Sequence, residues 1–155
     1  MRLGDSVTVH MDAPRQAIWD LVSDVTRIGE FSPETFEGEW LDGATGPAVG
    51  ARFRGHVKRN GRGPTYWSPA YVTVCVPGEE FAFGVGKPGK HLNSWGYRLV
   101  DAPGGGTDVT EWFEMEPKLP IKIYWLLFGW TRGKTNREGM RTTLERMKAV
   151  VESNT

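Results

Sequence analysis

The sequence contains little cysteine. Cys75 is the single cysteine among 155 residues, so an intramolecular disulfide is excluded. The first residues also lack the apolar run behind a basic start that marks a secretory signal peptide. Disulfide-stabilised secreted proteins are therefore a poor match, and the sequence predicts a cytoplasmic protein.

The chain has no excess of charge of either sign. Its 19 Lys and Arg residues balance 19 Asp and Glu residues, so no overall field attracts a polyanion. A basic row does occur in RFRGHVKRNGR, with Arg52, Arg54, His56 and Lys58 at every second position. Because no aromatic residues are interleaved on this basic face, we expect no nucleic-acid partner. The row is either a solvated strand face or a contact surface for an anionic ligand headgroup.

A long hydrophobic run is also missing. The most apolar stretch, IKIYWLLFGW at residues 121–130, is interrupted by Lys122. Its length is about half of the roughly 20 residues that a membrane-spanning helix needs. We therefore expect no membrane span, and the stretch is interpreted as a lid, a part of the core or a partner surface.

No motif of covalent, metal or phosphate chemistry lies in a fitting context. GVGKPG (residues 84–89) matches the G-x-G-x-x-G pattern, but a strand-like segment follows where phosphate binding requires a helix. A G-x-S-x-G sequence is absent, and Cys75 lies between two valines in a predicted strand. His10, His56, His91 and Cys75 show no metal-ligand spacing. The sequence predicts a hairpin loop at residues 84–89, and no metal or cofactor.

Aromatic residues and glycine are abundant. Seven Trp, seven Phe and four Tyr residues occur beside 20 Gly residues. Aromatic side chains supply large apolar contact areas, while glycine lets strands bend and leaves space beside them. Two interpretations follow from this composition: a curved sheet around a pocket, or an aromatic-rich packed core with many turns.

The first part of the chain predicts a strand and two short helices. SVTVHM (residues 6–11) alternates apolar and polar residues, as a half-buried strand does. An apolar stripe at helical spacing then follows, and it predicts two short helices with Gly29 as a C-cap. The stripe consists of Ile18, Leu21, Val22, Val25 and Ile28.

The middle of the chain predicts six strands and the end predicts a helix. Six segments between residues 36 and 116 are bounded by Gly, Pro or Asn, and Asn60-Gly61 and Pro77-Gly78 predict tight turns, so neighbouring strands are antiparallel. A helix is predicted from about residue 134 to residue 152, with one apolar side that packs on the sheet. That side consists of Met140, Leu144, Met147, Val150 and Val151.

Small residues near the start of this helix predict a gap. Asn136, Gly139 and Thr143 lie close to its apolar side, where they would leave space between helix and sheet. The alternative interpretation is a loosely specified helix start. Either way, Gly139 costs about 1 kcal/mol relative to Ala within a helix, so it needs a local reason.

Glu111 is the most interesting carboxyl group in the sequence. In TEWFEME it shares one strand face with Val109, Phe113 and Met115. If this face is internal, desolvation raises the pKa of Glu111 and makes it a candidate acid or base. The alternative is a glutamate paired with an arginine at a strand end. On the neighbouring predicted strand, Trp95, Tyr97 and Leu99 share a face that lines a pocket or fills a core.

Six segments, in the order of the predicted elements, resemble a known family. They are DAPRQAIWDLVSDVTRIGEFSPE, EWLDGATGPAVGARFRG, VTVCVPGEEFAFGV, SWGYRLV, GGTDVTEWFEM and TLERMKAVVE. Across nearly the whole chain they resemble the polyketide cyclase/dehydrase-type group of the START-like (SRPBCC) superfamily. The resemblance implies a single α+β domain over residues 1–155 with the Bet v 1/START-like helix-grip fold. In that fold a curved seven-stranded antiparallel sheet wraps around a long C-terminal helix, and two short helices follow the first strand.

The resemblance also implies an apolar cavity between the sheet and the long helix. Residues 121–130 would lie before that helix, near the cavity mouth. The candidate catalytic residues are Glu111 and Tyr97. The side chains that would point inward and bind a ligand are Phe31, Phe53, Val72, Val74, Phe83, Trp95, Tyr97, Glu111, Phe113, Met140, Thr143 and Leu144.

Three hypotheses about function follow. The first is a binding protein for a lipophilic small molecule, a lipid or a polyketide-like aromatic, with no cofactor. The second is an aromatase/cyclase or dehydratase that uses general acid/base chemistry on a polyketide-type substrate. The third is a protein-interaction or toxin-like regulatory module that uses residues 121–130. The oligomeric state is left open, with a homodimer as one option.

Overall fold

The computed structural model of the chain describes residues 4–58, 64–91, 93–115 and 119–153, with side-chain surroundings for all of these except residues 119–135. The elements follow the predicted order of strand, two short helices, six strands and a long helix. They are β1 (Gly4–Met11), α1 (Arg15–Val22), a 3₁₀ helix (Val25–Glu30), β2 (Thr35–Trp40), β3 (Arg52–Val57), β4 (Tyr66–Val76), β5 (Glu80–Val85), β6 (Asn93–Asp101), β7 (Thr107–Met115) and α2 (Leu119–Ser153).

The strands form one sheet in the order β1-β7-β6-β5-β4-β3-β2, and every neighbouring pair is antiparallel. From β2 to β7, consecutive strands are neighbours, as short connections require. The long helix α2 packs chiefly against β1 and β7 at one edge of the sheet. The curved seven-stranded sheet with a long C-terminal helix confirms the predicted helix-grip fold.

The apolar side of α2 lies in the core. Met140, Leu144, Met147 and Val151 are almost fully buried, and Val150 packs at the edge of the same cluster. Their spacing of three and four residues places them along one helix face. Burial of each such side chain stabilises the fold by roughly 1.5–3 kcal/mol, so this stripe fixes the helix on the sheet.

The two short helices are held by the predicted apolar stripe. Ile18, Leu21, Val22 and Val25 are buried in the core cluster. Between the helices the chain is redirected at Asp24, whose side chain accepts a hydrogen bond from the backbone N–H of Thr26 at 3.0 Å. This interaction caps the 3₁₀ helix at its start.

Gly29 has a different role from the predicted C-cap. Its φ is not positive and the 3₁₀ helix continues to Glu30, so that prediction is wrong. A Cβ on Gly29 would lie 2.2 Å from the carbonyl oxygen of Phe36, and a Cβ on Gly38 would lie 2.4 Å from that of Val25. The two glycines therefore let the 3₁₀ helix and β2 approach backbone to backbone.

The long helix begins earlier than predicted. It starts at Leu119, so residues 121–130 belong to α2 and do not precede it. Pro120 occupies the first turn, where its missing N–H costs nothing. The interpretation of residues 121–130 as lid, core or partner surface concerns side chains outside the described ones. Within the described residues, no helix combines the length and apolar character needed to cross a membrane.

A β-bulge in β4 reverses the direction of the Val74 side chain, which was predicted to point inward. The pairing of β4 with β5 shifts between Val72 and Val74, so that Val72 lies opposite Phe83 whereas Val74 lies opposite Ala82. Ala82 lies between Phe81 and Phe83, which belong to the core side of β5. Val74 therefore faces the other side of the sheet, and its predicted inward orientation is wrong.

Turn chemistry joins the strands largely as predicted. The Pro77-Gly78 turn connects β4 and β5, with Gly78 at φ +76°, a left-handed conformation that suits glycine. Gly84 and Val85, the first residues of the predicted loop, are the last residues of β5, and residues 86–89 begin its connection to the antiparallel strand β6, which confirms a hairpin with a later start. The strands flanking Asn60-Gly61 also pair in antiparallel fashion, but the turn itself lies outside the described residues.

Candidate functional site

A cavity of about 350 Å³ lies between the sheet, α2 and the connection from the 3₁₀ helix to β2. The connection supplies Ile28, Ser32, Pro33 and Glu34. The sheet supplies Thr35, Phe53, Gly55, Val57, Tyr66, Ser68, Ala70, Phe83, Val85, Asn93, Trp95, Tyr97 and Glu111, and the helix supplies Asn136, Gly139, Met140 and Thr143. Exposed Pro33 and Tyr66 mark the mouth.

One side of the cavity is aromatic. The rings of Phe53 and Phe83 meet edge to face with centroids 5.2 Å apart. Trp95 packs at 5.2 Å against Phe113, which lies behind it in the core. Alternation along β3, β5 and β6 brings these rings to the same face of the sheet because each strand repeats every two residues. The result is a continuous apolar surface against which a flat molecule can pack.

The inner end of the cavity holds Glu111 and Tyr97, which are cross-strand neighbours on β7 and β6. Glu111 is only 3% exposed, and its Oε2 is buried without a hydrogen-bond partner. Burial raises the pKa of Glu111 to about 8, although the nearby Tyr97 hydroxyl acts to lower it. The pKa of Tyr97 is raised well above its ordinary value by burial and, secondly, by the Glu111 charge. Both groups are therefore neutral at pH 7.

The helix side of the cavity includes the three residues that the sequence predicted to leave a gap, together with Met140. Asn136, Gly139 and Thr143 all line it. A Cβ on Gly139 would have nothing within 4 Å, and the Thr143 hydroxyl donates to the Gly139 carbonyl at 2.9 Å. The missing side chain leaves open volume between α2 and the sheet, which accounts for a glycine at this position of the helix.

The mouth is shaped by the connection that follows the 3₁₀ helix. The Ser32 hydroxyl oxygen accepts a hydrogen bond from the backbone N–H of Thr35 at 3.0 Å, which fixes the turn around Pro33. Arg146 of α2 donates to the Ser32 carbonyl at 3.4 Å. Glu34 lines the cavity, so this connection ties the helix and the entrance together.

Residues 6–152 match the family described as polyketide cyclase / dehydrase and lipid transport. The chain belongs to this family. Comparison with the curated proteins gave no significant match.

Solved structures that resemble this polyketide cyclase/dehydrase family member cover nearly its whole length. A Staphylococcus aureus protein of unknown function is 12% identical with a TM-score of 0.73, covering 99% of this chain and 96% of that one. A polyketide-cyclase-like protein of Corynebacterium glutamicum is 27% identical with a TM-score of 0.59, covering 97% and 90%. The di-domain ARO/CYC protein BexL from the BE-7585A biosynthetic pathway is 15% identical with a TM-score of 0.69, covering 97% and 50%. At 12% and 15% identity, the likeness is one of fold.

Seven of the twelve predicted ligand-binding residues line the cavity of this family member. They are Phe53, Phe83, Trp95, Tyr97, Glu111, Met140 and Thr143. Val72, Phe113 and Leu144 point inward but are buried in the core. Phe31 is also buried and packs edge to face on Tyr97 at 6.4 Å, so it supports the lining and does not form part of it. Val74 faces away, as described above.

Several lining residues were missed although the sequence carries their signal. Tyr66, Ser68 and Ala70 share the parity of Val72 on β4, and Gly55 and Val57 share that of Phe53 on β3. Extending the two-residue alternation toward the strand ends would have found them. Ile28 and Pro33 carry no such signal, because their place depends on how the connection folds over the sheet.

The basic row of β3 does not reach the cavity. Arg52 pairs with Asp42 at 3.0 Å, Arg54 pairs with Glu39, and His56 pairs with Glu37 at 2.7 Å. None of these three side chains lines the cavity, so a headgroup contact there receives no support.

The expectation of no aromatic residue on this basic face is wrong. Trp67 of β4 stacks on the imidazole ring of His56 at 4.2 Å, and the guanidinium group of Arg54 lies 4.1 Å from the Trp67 ring centroid. The aromatic residue comes from the neighbouring strand, so it could not be found by alternation along β3 alone. Arg52, Arg54 and His56 also have carboxylate partners, so this part of the face carries no concentrated positive charge.

The part of the chain that the structure describes contains neither a metal-binding cluster nor an activated thiol. No group of three His, Cys, Asp or Glu side chains there could hold a metal ion. Cys75 is half-buried, and burial raises the pKa of its thiol, which disfavours the reactive thiolate.

Proposed function

We propose that the chain binds a compact lipophilic molecule, a lipid or a polyketide-like aromatic, in the cavity between the sheet and α2. The observation that carries this proposal is the aromatic side formed by Phe53, Phe83 and Trp95 next to open volume. A filled core would place side chains against these rings. Here the helix contributes Gly139 to the lining, and a Cβ at that position would meet nothing within 4 Å.

The size and chemistry of the cavity support the same ligand class. Pockets for small organic ligands are usually apolar, with volumes of roughly 300–1,000 Å³ and a few placed polar groups. The cavity of about 350 Å³ lies at the lower end of this range and carries Glu111 and Tyr97 at its inner end. A compact ring system fits this space better than a two-chain lipid.

A leucine at position 139 is expected to abolish ligand uptake while the fold is kept. Leu favours a helix over Gly by nearly 1 kcal/mol, and its side chain would fill the space beside Gly139. The probe is naphthalen-2-ylmethanol, which is neutral and fluorescent. At 100 times its Kd, a bound probe stabilises the wild type by about 2.7 kcal/mol and raises Tm by roughly 5–10 °C. Gly139→Leu should show no such rise.

The matched control is Thr142→Leu, which adds the same side chain to an exposed position of the same helix. This variant should keep the rise in Tm and the fluorescence change. Equal probe uptake by Gly139→Leu would place the probe outside the cavity. If no member of a broad lipophile panel raises the Tm of the wild type, the binding proposal is lost.

A second candidate function is cyclisation or dehydration of a polyketide-type substrate by general acid/base chemistry. It is favoured by the buried pair of Glu111 and Tyr97 at the end of an aromatic cavity. A neutral carboxyl group can donate its proton to a substrate carbonyl, and the resulting carboxylate can accept a proton from the adjacent carbon. These two transfers give the enol and return the proton to Glu111. The enol carbon then attacks a second carbonyl of the same substrate to close the ring, with the Glu111 proton passing to the new alkoxide oxygen and the enol O–H proton returning to Glu111. Dehydration follows when Glu111 protonates the new hydroxyl, which leaves as water, and takes a proton from the adjacent carbon.

For this second function, Glu111→Gln should lower kcat on an aromatic polyketone by about 10²- to 10⁴-fold with little change in KM. Gln keeps the shape of the side chain but cannot transfer a proton. Glu114→Gln, on an exposed position of the same strand, is the control and should leave both constants unchanged. A Glu111→Gln variant that turns over at the wild-type rate removes Glu111 from the reaction.

A further inference from the structure

The ionisable groups known to line the cavity are acidic. Glu111 lies at the inner end and half-buried Glu34 lies near the mouth, and the phenols of Tyr66 and Tyr97 are the other two among the described residues. Among the described lining residues there is no Lys, Arg or His. A ligand with a negative charge would therefore enter a space with no described cation to receive it.

Among the residues whose side chains are described, Glu111 has no charge partner on the elements packed around it. Its cross-strand neighbours are Val7 on β1 and Tyr97 on β6, and α2 presents Met140 and Thr143 at the same cavity. Of these, Tyr97 is the one titratable group. The carboxyl oxygen Oε2 is buried and without a hydrogen-bond partner, so a ligand group that reaches it satisfies a group that is otherwise costly to bury.

The aromatic side of the cavity suits a cation as well as an apolar ring. Trp95, Tyr97, Phe53 and Phe83 all border the space next to Glu111 or continue from it toward the mouth. Aromatic faces attract an ammonium group through their negative potential, and the attraction grows when water is excluded. A carboxyl group beside several aromatic rings is a suitable environment for a basic nitrogen.

We propose that the cavity is selective for lipophilic amines, whose protonated nitrogen pairs with Glu111 while the apolar part lies against the aromatic side. This inference rests on the proposed binding function and narrows its ligand class. It differs from a neutral carbonyl ligand, which would accept a hydrogen bond from the protonated Glu111.

The two ligand types have opposite proton balances. In the free protein at neutral pH, Glu111 carries a proton, because burial raises its pKa to about 8. Pairing with an ammonium group requires the carboxylate, so that proton leaves to the solvent and affinity increases with pH toward 8. A carbonyl ligand uses the protonated form, so its affinity decreases once the pH passes 8.

The experiment compares three probes that share one ring system: naphthalen-2-ylmethylamine, naphthalen-2-ylmethanol and naphthalene-2-carboxylate. Calorimetric titration at pH 7 in two buffers of different ionisation enthalpy gives both Kd and the number of protons released. We expect the amine to bind at least tenfold more tightly than the alcohol, with the carboxylate weakest. Close to one proton should be released for each amine bound.

The variant that isolates the pairing is Glu111→Gln. It should reduce the affinity for the amine to that for the alcohol, abolish proton release and change the alcohol affinity by less than about threefold. Glu114→Gln, which removes an exposed carboxylate from the same strand, should retain amine selectivity and proton release.

The outcomes separate this inference from the proposed function. Equal affinities for the three probes, or tighter binding of the alcohol with a loss above pH 8, overturn amine selectivity but leave a lipophile-binding cavity. Amine selectivity that survives in Glu111→Gln overturns the role of Glu111. Absence of binding by all three probes in the wild type, together with a failed lipophile panel, overturns the binding proposal itself.

Discussion

Replacement of Glu111 by Gln is expected to make the folded chain markedly more stable than the wild type at alkaline pH. Burial raises the pKa of Glu111 from an ordinary value of 4.5 to about 8, so the folded state binds a proton more tightly than the unfolded state. A group of this kind contributes full stability below about pH 4.5, and the contribution is lost as the pH rises toward 8. At about 1.4 kcal/mol for each pH unit, the loss reaches on the order of 5 kcal/mol.

The measurement is the free energy of unfolding by denaturant at pH 5, 7 and 9. Gln resembles the neutral carboxyl group in shape, so the variant and the wild type should differ little at pH 5. At pH 9 the variant should be more stable by several kcal/mol, a large part of the 5–15 kcal/mol typical of a folded domain. Parallel pH profiles for the two proteins would mean that Glu111 is ionised in the folded state.

Comparison with the variant is necessary because another group acts in the same direction. Hydrogen bonds from Asp108 and then Asp12 raise the pKa of His10, so its contribution to stability is also lost as the pH rises through that raised pKa. The His10 side chain is exposed, and its effect is the same in both proteins. The difference between wild type and Glu111→Gln therefore isolates the buried carboxyl group, and Glu114→Gln controls for the loss of one negative charge.

This cost bears on why a carboxyl group lies at the end of an apolar cavity. A leucine or a methionine at position 111 would avoid the penalty of a buried, unpartnered oxygen. Residues that weaken the fold and line a cavity are expected where function requires them. The two experiments therefore concern the same carboxyl group. The unfolding measurement gives the stability that the free protein loses through Glu111, and the probe titration gives the affinity that a ligand gains from it.

The parts of the site that were predictable from sequence are those set by strand alternation. Phe53, Phe83, Trp95, Tyr97 and Glu111 lie on regular strands, where side chains two residues apart share a face. Because turn residues mark the ends of each strand, the sequence alone predicts which of these side chains lie on the same face of the sheet.

The parts that escaped prediction depend on tertiary structure. The bulge that turns Val74 away has no mark in YVTVCV, because Val72, Val74 and Val76 alternate with other residues as they would in an unbroken strand. The start of α2 at Leu119 was missed because Gly129 and Gly133 lower the helix propensity of this part of the chain. Phe31 was predicted as a lining residue, but its burial against Tyr97 follows from the way the 3₁₀ helix closes on the sheet.

The second large effect is expected where the 3₁₀ helix packs against β2. Gly29→Ala should destabilise the fold by about 3 kcal/mol, the upper part of the usual range for overpacking. Its new Cβ would lie 2.2 Å from the Phe36 carbonyl oxygen, a backbone atom that no rotamer change can move away. Relief requires the 3₁₀ helix to shift from β2, and this shift carries the connection with Ser32 and Glu34 at the cavity mouth. Probe dissociation should accelerate together with the loss of stability.

Gly46→Ala is the matched control, since a Cβ at Gly46 meets nothing within 4 Å and its φ is not positive. That variant should lie within about 0.5 kcal/mol of the wild type, as surface substitutions usually do. Gly38→Ala tests the same contact from β2, where the Cβ would meet the Val25 carbonyl oxygen at 2.4 Å. One shift relieves both clashes, so the double variant should lose clearly less than the sum of the two single losses. Full additivity would show that the two glycines do not share an interface, and the link between this interface and the cavity mouth would then fail.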